Sequence, residues 1–349
     1  MYKELIDRLT KDAVLSPDEY LELIRHREEA RDYAADAARK TRARFYGNKV
    51  YIRGLIEFTN FCKNNCYYCG IRAGNANCER YRLTPQEIAD CADSGYELGF
   101  RTFVLQGGED PYYTDDILCD IIKKIKTSHP DCAVTLSIGE RRFESYKALR
   151  DAGADRYLLR HETANEAHYK TLHPASMNFD NRRRCIEDLR ALGYQVGIGF
   201  MVGSPGQTDE DLASEFTYLK SVKPHMVGIG PFIPHKDTPF ANETAGSAEL
   251  TTFLLSLIRL TLPDVLLPAT TALGTLDPAG RERGIMAGAN VLMPNLSPVG
   301  VRKKYMLYDN KICTGEEAAQ CIECLKQRIK MTGCEIVTAR GDHAERSTQ

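Results

Sequence analysis

From Tyr51 onward the chain alternates short runs of β-branched and apolar residues with amphipathic helical stretches, and no other sequence feature constrains the fold as strongly. Strands that alternate with helices pair into a parallel sheet, and eight of them predict closure into a barrel. The predicted strands are Tyr51–Phe58, Thr102–Gln106, Ala133–Ile138, Arg156–Leu159, Gln195–Val202, Met226–Gly230, Val265–Ala269 and Asn290–Met293. The helices that follow them are predicted to begin near Pro85, Thr114, Arg141, Asp180, Thr208, Ser247, Pro278 and Glu316.

The predicted fold is therefore α/β, a (β/α)8 TIM-type barrel with an N-terminal helical extension. Residues 1–50 form the extension and residues 51–312 the barrel. Residues 313–349 form a last helix and a polar tail, which is expected to fray after Gly333. An open doubly wound sheet is the alternative, but no glycine-rich G-x-G-x-x-G turn follows the first strand.

Composition restricts the kinds of partner and the cellular compartment that we expect for this protein. Hydrophobic residues make up 43% of the 349 and charged residues 27%, which is enough for a buried core. The net charge of −2 gives no electrostatic reason to expect nucleic acid or an anionic membrane as a partner. The N-terminus lacks the apolar core of a secretory signal, and the apolar stretch 251–274 is interrupted by charges and prolines. We therefore expect a cytoplasmic protein, in which twelve cysteines form no disulfide framework.

Three of these cysteines, Cys62, Cys66 and Cys69, lie in the loop after the first predicted strand. Their C-x3-C-x2-C spacing lets a short loop bind three corners of a cube-shaped iron–sulfur cluster and leaves the fourth iron open, whereas an electron carrier needs four ligands. A zinc site is the alternative, but it requires a fourth cysteine or histidine close by, for which Cys78 is a candidate. The other isolated cysteines are predicted to be small buried hydrophobes.

With Tyr68 before its last cysteine, this motif resembles the signature of the radical S-adenosylmethionine (SAM) superfamily. The resemblance implies a catalytic 4Fe–4S cluster whose open iron is chelated by SAM, and reductive cleavage of SAM to a 5′-deoxyadenosyl radical. It also implies that Gln106, Gly107 and Gly108, at the end of the second strand, form the turn whose backbone meets the SAM amino group. A plain turn is the alternative for these residues.

Further segments resemble one family within that superfamily. Over roughly residues 15–335 the chain is similar to the [FeFe]-hydrogenase maturase family HydE, with methylornithine synthase and biotin synthase as related families. The segments that carry the resemblance are Arg160-His161-Glu162-Thr163, Asn181-Arg182, Met201-Val202-Gly203-Ser204-Pro205-Gly206-Gln207-Thr208, Gly228-Ile229-Gly230-Pro231-Phe232-Ile233-Pro234-His235, Pro268-Ala269-Thr270-Thr271-Ala272 and Gly288-Ala289-Asn290-Val291-Leu292-Met293-Pro294-Asn295.

The resemblance implies SAM contacts for three residues. Glu162 is similar to the glutamate that contacts the SAM ribose or amino group, and Arg182 to the arginine that pairs with the SAM carboxylate. A separated carboxylate and guanidinium suit a zwitterionic amino acid, because each offers charge-assisted hydrogen bonds to one end. Met201 is similar to a methionine of the SAM pocket. The alternatives are a surface ion pair for the charged residues and core packing for the methionine.

Deeper in the barrel, the family binds its substrate with polar residues. Arg53 and Arg156 lie on predicted strands, where a buried charge requires a partner, and anionic substrate groups are natural ones. Salt bridges to carboxylates of the barrel are the alternative. The remaining residues implied to surround the substrate are Thr270, Thr271, Met226, Met293, Tyr305 and Tyr308, for which core or rim packing is the alternative.

A second cysteine group, Cys313, Cys321 and Cys324, has the spacing C-x7-C-x2-C. This spacing matches the auxiliary-cluster site of the family, where a 2Fe–2S or second 4Fe–4S cluster binds. Three cysteines that pack the last helix against the barrel are the alternative. Because methylornithine synthase is not expected to have this site, the motif favours the hydrogenase maturase.

The reaction and partners also follow from the resemblance alone. It implies attack of the adenosyl radical on the sulfur of a small iron–carbonyl–cyanide complex carrying cysteine, toward the [FeFe]-hydrogenase subcluster. The implied partners are the maturases HydG and HydF and a low-potential electron donor of the ferredoxin or flavodoxin type. The alternatives are an enzyme similar to methylornithine synthase or biotin synthase, and a non-enzymatic iron–sulfur carrier or scaffold.

Overall fold

The computed structural model describes residues 2–315 and 322–344. In these ranges the strands are β1 (Lys49–Ile52), β2 (Gly54–Thr59), β3 (Thr102–Gly107), β4 (Ala133–Ser137), β5 (Arg156–Leu158), β6 (Gln195–Ile198), β7 (Met201–Val202), β8 (Met226–Val227), β9 (Gly230–Pro231), β10 (Val291–Leu292) and β11 (Glu335–Val337). The helices are α1 (Tyr2–Asp12), α2 (Pro17–Arg25), α3 (Arg27–Tyr46), α4 (Pro85–Glu97), α5 (Asp115–Ser128), α6 (Phe143–Asp151), α7 (Glu166–Leu172), α8 (Phe179–Ala191), α9 (Asp209–Val222), α10 (Ala248–Thr261), α11 (Thr271–Leu276), α12 (Gly280–Met286), α13 (Val299–Arg302) and α14 (Ile322–Lys330).

The strands form a closed parallel ring. Six of them pair in the order β2-β3-β4-β5-β6-β8. Parallel bridges then continue the ring from Met226 to Leu266 and from Pro268 to Val291. β10 pairs in parallel with β1, which runs on into β2 through Arg53. The predicted α/β barrel is therefore confirmed, and the carboxyl ends of its strands meet at one mouth.

The predicted elements differ from the observed ones in a few places. The strand predicted over Gln195–Val202 divides into β6 and β7, and a parallel bridge from Glu162 to Phe200 lies between the two pieces. Helices α7, α11 and α13 lie in connections where no separate helix is predicted. The helix start predicted near Glu316 lies outside the described residues, and α14 is described from Ile322 onward.

Local capping signals fix several helix starts. Thr84 accepts a hydrogen bond from the backbone N–H of Glu87, whose side chain accepts one from the backbone N–H of Thr84, so α4 begins with the predicted capping box. Ser16 and Glu19 form the same motif before α2. These caps place α4 directly after the cysteine loop and hold α2 against the outside of the barrel.

The N-terminal helices pack on one side of the barrel, α2 against α9 and α3 against α10. A buried hydrogen bond of 2.8 Å joins the Tyr20 hydroxyl to the Thr261 hydroxyl across this contact. The predicted helical extension is therefore present as helices, and its boundary with the barrel stays a prediction. Within the described parts of the chain, no helix has both the length and the apolar character that crossing a membrane requires.

The chain after Gly333 covers the amino-terminal end of the barrel, and the expectation that it frays is wrong for residues 334–344. β11 pairs in parallel with β1 from Lys49–Glu335 to Tyr51–Val337. Beyond β11, the Asp342 carboxylate accepts hydrogen bonds from Arg156 (2.6 Å) and Gln195 (2.7 Å) on two barrel strands. We call residues 334–344 the floor segment, because they close the end of the barrel opposite the mouth.

Candidate functional site

The mouth of the barrel opens into a cavity of about 300 Å³, within the range typical of small-molecule sites. Strand ends and the loops that follow them form its wall, which is where the chemistry of such barrels is found. The predicted site residues that line this cavity are Cys62, Cys66, Cys69, Tyr68, Gln106, Gly107, Gly108, Glu162, Arg182, Met201, Thr270, Tyr305 and Tyr308.

The three clustered cysteines face this cavity as free thiols. Burial raises the pKa of all three thiols, to about 12 for Cys66, so without a metal they are held protonated at neutral pH. Cys62 and Cys66 also raise the pKa of Cys69, because the three thiols lie close enough to interact electrostatically. The Met177 sulfur lies 3.5 Å from the Cys66 sulfur and covers it from the loop before α8.

A zinc site is the alternative to a cluster for these cysteines. Among the residues that the structure describes, no three histidine, cysteine or acidic side chains converge closely enough to hold one metal ion. All three cysteines of the loop line the same cavity.

The turn after β3 touches the cysteine loop directly. A Cβ added at Gly108 would lie 2.2 Å from the backbone oxygen of Phe61 and 2.7 Å from the Cβ of Cys62. Only glycine permits this approach, so the two loops lie against each other with their backbones facing the cavity. The Gln106 side chain lies 3.4 Å from the Tyr305 hydroxyl across the mouth.

Glu162 has the backbone conformation that most strongly marks a functional position. Its φ of +68° is in the left-handed region, which is uncommon for a residue other than glycine. The Oε2 atom of its carboxylate lies 3.2 Å from an Arg160 nitrogen, yet neither atom has a hydrogen-bond partner within residues 2–315 and 322–344. A buried carboxylate oxygen without a donor is a ready acceptor for an ammonium or hydroxyl group of a ligand.

Arg182 on α8 is held by Glu140, with 2.8 Å between its Nε and the Glu140 Oε1. Burial lowers the pKa of Arg182, but Glu140, Tyr169, Glu109 and Tyr68 together raise it by more, so the guanidinium stays charged. Arg182 lines the same cavity as Glu162. The structure therefore brings a carboxylate and a guanidinium together around one cavity, as the sequence predicts.

The Tyr68 ring, beside the last clustered cysteine, is fixed by His173. The Nδ1 atom of His173 lies 3.0 Å from the backbone oxygen of Tyr169, which only accepts, so Nδ1 carries the hydrogen. The Nε2 atom is then the acceptor for the Tyr68 hydroxyl at 3.2 Å. Burial lowers the pKa of His173 to about 3, so the ring stays neutral and keeps this role.

A strap formed by residues 304–311 crosses the mouth and contributes Tyr305, Leu307 and Tyr308 to the cavity wall. Its end is anchored by Lys311, whose Nζ lies 2.5 Å from the Glu57 carboxylate and 2.8 Å from the Tyr305 backbone oxygen. Both charged side chains of this pair are buried. The strap therefore places aromatic surface between the cavity and solvent.

Five predicted substrate residues do not line the cavity: Arg53, Arg156, Thr271, Met226 and Met293. Arg156 has a salt-bridge partner within the protein, since its guanidinium is bonded to Asp342 and Thr102 at the floor segment. Arg53 donates to the Met226 sulfur at 2.9 Å, and its Nε and Nη2 atoms have no partner among the described residues. Met226 and Met293 pack with Leu266 and Val291 below the cavity, and Thr271 begins α11.

The second cysteine group is described only in part. Cys313 is half-buried, has a φ of +64° and accepts a hydrogen bond of 3.0 Å from Arg281, while Cys324 on α14 is exposed. Cys321 lies outside the described residues. The geometry of this predicted auxiliary site therefore stays a prediction.

Arg160 lines the cavity but is absent from the set predicted from the sequence. It follows β5 and lies two residues before Glu162, where the chain leaves the strand at the mouth of the barrel. The signal available for Arg160 was its place directly after a predicted strand, where such barrels have their chemistry.

This chain is similar in sequence to known proteins. A family model described as the Radical SAM superfamily matches residues 56–219. The chain is 49% identical over 296 residues to the [FeFe] hydrogenase maturase subunit HydE of Thermotoga maritima, covering 85% of this chain and 84% of that protein. It is 29% identical over 304 residues to the 3-methylornithine synthase of Methanosarcina barkeri, covering 85% and 83%.

Solved structures agree on the fold. Methylornithine synthase (PylB) superposes with a TM-score of 0.82 at 25% identity, covering 95% of this chain and 97% of that one. The maturase HydG from Carboxydothermus hydrogenoformans superposes with a TM-score of 0.81 at 23% identity, covering 97% and 79%. Both likenesses extend over nearly the whole of this chain.

Proposed function

This chain belongs to the radical SAM superfamily and, within it, to the HydE family, and from that premise we propose a specific reaction. The proposed enzyme cleaves SAM reductively and directs the 5′-deoxyadenosyl radical at the sulfur of a small substrate, a cysteine-ligated iron–carbonyl–cyanide complex. The observation that supports this most is the convergence of the three cysteines with Glu162 and Arg182 on one cavity. The cytoplasm is the proposed compartment.

The residues at the mouth fit the two groups that the family requires. When bound, a 4Fe–4S cluster and SAM supply the reducing electron and the adenosyl radical. Cys62, Cys66 and Cys69 would hold the cluster through three irons. The Gln106–Gly108 turn, which lies against the cysteine loop, would present its backbone to the SAM amino group.

Glu162 and Arg182 would orient SAM by its charged and polar groups. The Glu162 Oε2 atom, which pairs with Arg160 but accepts no hydrogen bond among the described residues, would accept from the SAM ribose or amino group, and the Arg182 guanidinium would donate to the SAM carboxylate. The Glu140 carboxylate prevents Arg182 from turning toward the bulk solvent. Met201 and Tyr68 would pack against the cofactor, with Tyr68 held in place by His173.

The substrate is proposed to lie deeper in the same cavity. Thr270 has a buried hydroxyl without a partner among the described residues, and Arg160 provides a cation on the wall of the same cavity. Arg53 lies outside the cavity lining, but two of its buried donors have no partner among the described residues, and it is proposed to bind an anionic group of the substrate. The aromatic residues of the strap would exclude water and stray hydrogen donors from the radical.

Two further assignments belong to this proposal. Cys313, Cys321 and Cys324 are proposed to bind an auxiliary 2Fe–2S or 4Fe–4S cluster, in a metal-binding and not a catalytic role. The proposed partners are HydG- and HydF-like maturases and a low-potential donor of the ferredoxin or flavodoxin type. Both assignments rest on the family.

Sequence identity discriminates between the two candidate enzymes, a HydE-type maturase and a methylornithine synthase. The chain is 49% identical to a HydE protein and 29% identical to a 3-methylornithine synthase over nearly the same length. A substrate closer to that of HydE is therefore favoured over lysine. A pure cluster carrier is disfavoured because it has no use for the paired carboxylate and guanidinium at the cavity.

The test is an anaerobic assay of SAM cleavage. The reconstituted protein with SAM and dithionite is expected to release 5′-deoxyadenosine, and Cys66→Ser to release none. Cys119→Ser, which changes a half-buried cysteine on α5 away from the cavity, is the matched control and should retain the activity. Absence of 5′-deoxyadenosine from a fully loaded wild-type protein would contradict the proposal.

A second assay addresses the substrate. Extracts that contain HydF- and HydG-like maturases and an apo-hydrogenase should produce active hydrogenase only when this protein is added. Formation of methylornithine from lysine would instead favour the alternative enzyme.

A further inference from the structure

The segment that leaves the cysteine loop returns beside the end of β2. Arg82 forms an antiparallel bridge with Thr59, and the backbone N–H of Leu83 donates to the backbone oxygen of Phe58 at 2.8 Å. We call residues 79–83 the return segment. It contains two arginines, Arg80 and Arg82, that the roles assigned above do not use.

Arg80 joins the two ends of the cysteine loop. Its Nη1 donates to the backbone oxygens of Asn60 (2.5 Å) and Ile71 (2.8 Å). Its Nη2 donates to those of Arg72 (2.6 Å) and Asn75 (3.2 Å). Asn60 stands two residues before the first clustered cysteine and Ile71 two residues after the last, so one guanidinium closes the loop that contains all three.

Arg82 fastens the same loop to the glycine turn. It pairs with both carboxylate oxygens of Asp110, from Nε at 2.7 Å and from Nη2 at 2.9 Å. Its guanidinium also lies 3.8 Å from the centre of the Phe61 ring, directly before the first clustered cysteine. Asp110 in turn accepts from the Thr59 hydroxyl at 2.7 Å, so the ion pair spans the ends of β2 and β3.

Arg80 and Arg82 differ from ordinary surface charges in the groups that they contact. Asp110 is buried, and among the described residues Arg80 makes no ion pair at all, since its donors are committed to loop carbonyls. The planar guanidinium of Arg80 donates to four carbonyl oxygens, two from each terminal nitrogen. The single ammonium of a lysine cannot reproduce this arrangement. The polar contacts that shape the cysteine loop therefore involve none of its three cysteine thiols.

We propose that Arg80 and Arg82 are positioning residues, which hold Cys62, Cys66 and Cys69 in a cluster-ready arrangement in the metal-free protein. The inference rests on the proposed assignment of these cysteines as cluster ligands. Its consequence is that the loop is ordered before metal binds, so that cluster assembly does not have to overcome the conformational entropy of the loop.

The experiment compares Arg80→Lys and Asp110→Asn with Arg101→Lys. Arg101 is the matched control because it also donates to two backbone oxygens, those of Tyr96 (3.1 Å) and Phe100 (2.8 Å), but at the opposite end of β3. The first readout is the alkylation rate of each cysteine in the metal-free protein, followed by peptide mass spectrometry. The second is iron retained against a chelator after reconstitution, together with the EPR spectrum of the reduced protein.

We expect the three clustered cysteines of Arg80→Lys and Asp110→Asn to be alkylated at least about fivefold faster than in wild type, since local opening exposes them. Cys119 should react at an unchanged rate in every variant, which separates local opening from unfolding of the barrel. Iron should be lost faster and the EPR signal should broaden in both variants, but not in Arg101→Lys.

Alkylation rates and iron retention equal to wild type in both variants would overturn the inference. If Arg80→Lys accelerates alkylation of Cys119 as strongly as that of the clustered cysteines, the role is structural only and the inference is again overturned. A wild-type protein that takes up no iron would refute the proposed function, whereas the alkylation rates of the metal-free proteins would still decide this inference.

Discussion

Replacing Asp342 by asparagine tests the floor segment with the smallest change in shape. The carboxylate receives hydrogen bonds from three barrel or floor side chains: Arg156 at 2.6 Å, Gln195 at 2.7 Å and Arg340 at 2.8 Å. Arg156 is fully buried, so Asp342 is the counter-ion that its charge requires. The substitution keeps the volume of the side chain and removes only its charge and one acceptor.

The expected loss is about 3 kcal/mol of unfolding free energy, the lower end of the roughly 3–5 kcal/mol for removing one partner of a buried ion pair. The lower end applies because the Asp342 side chain remains 18% exposed and the amide oxygen still accepts from Arg156. The amide nitrogen, in contrast, faces the Arg340 donor, which adds an unfavourable contact.

The effect should depend on pH with a definite sign. Burial raises the pKa of Asp342, but Arg156 and the other donors lower it further, so the folded pKa is well below that of the unfolded chain. The carboxylate therefore stabilises the fold fully above about pH 4 and progressively less as pH falls below that value. The difference between wild type and Asp342→Asn should shrink accordingly as the pH is lowered from 5 toward 2.

Urea unfolding followed by circular dichroism measures the difference, at pH 7 and then at decreasing pH. Asp151→Asn serves as the control, because its 2.5 Å pair with Lys147 is solvent-exposed and is expected to contribute less than about 0.5 kcal/mol. An Asp342→Asn protein as stable as wild type, or a stability difference that grows at low pH, would refute the reasoning.

Three further predictions concern the mouth. Glu162→Gln should weaken SAM binding about tenfold in equilibrium dialysis, because one charge-assisted hydrogen bond contributes roughly 1.5 kcal/mol. Gly108→Ala should lower the iron content after reconstitution, because its Cβ would overlap the Phe61 backbone oxygen. Lys311→Met should lower the unfolding free energy by about 3 kcal/mol in urea titrations, because it leaves the Glu57 carboxylate buried without its cation.

For each of these variants, one result would contradict the prediction. SAM affinity unchanged in Glu162→Gln would remove this carboxylate from the binding site. Wild-type iron content in Gly108→Ala would show that the two loops separate freely. Wild-type stability in Lys311→Met would mean that the strap is held without this ion pair; Lys326→Met, at an exposed pair with Glu323, is the control and should have little effect.

The barrel was predictable because its signals are local and repeated. Strand periodicity and caps such as that at Thr84 are set by neighbouring residues, and the structure confirms both. The cysteine loop was predictable for the same reason, since three cysteines and one aromatic residue stand within eight positions. The grouping of Glu162 and Arg182 followed from the family, and the structure places both on the cavity wall.

The errors concern contacts between distant parts of the chain. Arg156 was expected to need an anionic partner, and it has one, but that partner is Asp342 in a segment whose polar composition predicts disorder. Polar residues fray only when nothing pairs with them, and the sequence does not indicate what lies across the barrel floor. Arg80 was missed because its partners are backbone oxygens, which leave no trace in the sequence pattern.

The floor segment also affects how the chain matures during synthesis. β11 pairs with β1, so a strand at the beginning of the barrel is completed by residues translated after every other barrel strand. On the ribosome, a nascent chain that has already formed its eight strands still exposes the Arg156 guanidinium at an open end, because Asp342 has not yet emerged. Docking of the floor segment on β1 and Arg156 therefore follows translation of the other barrel strands.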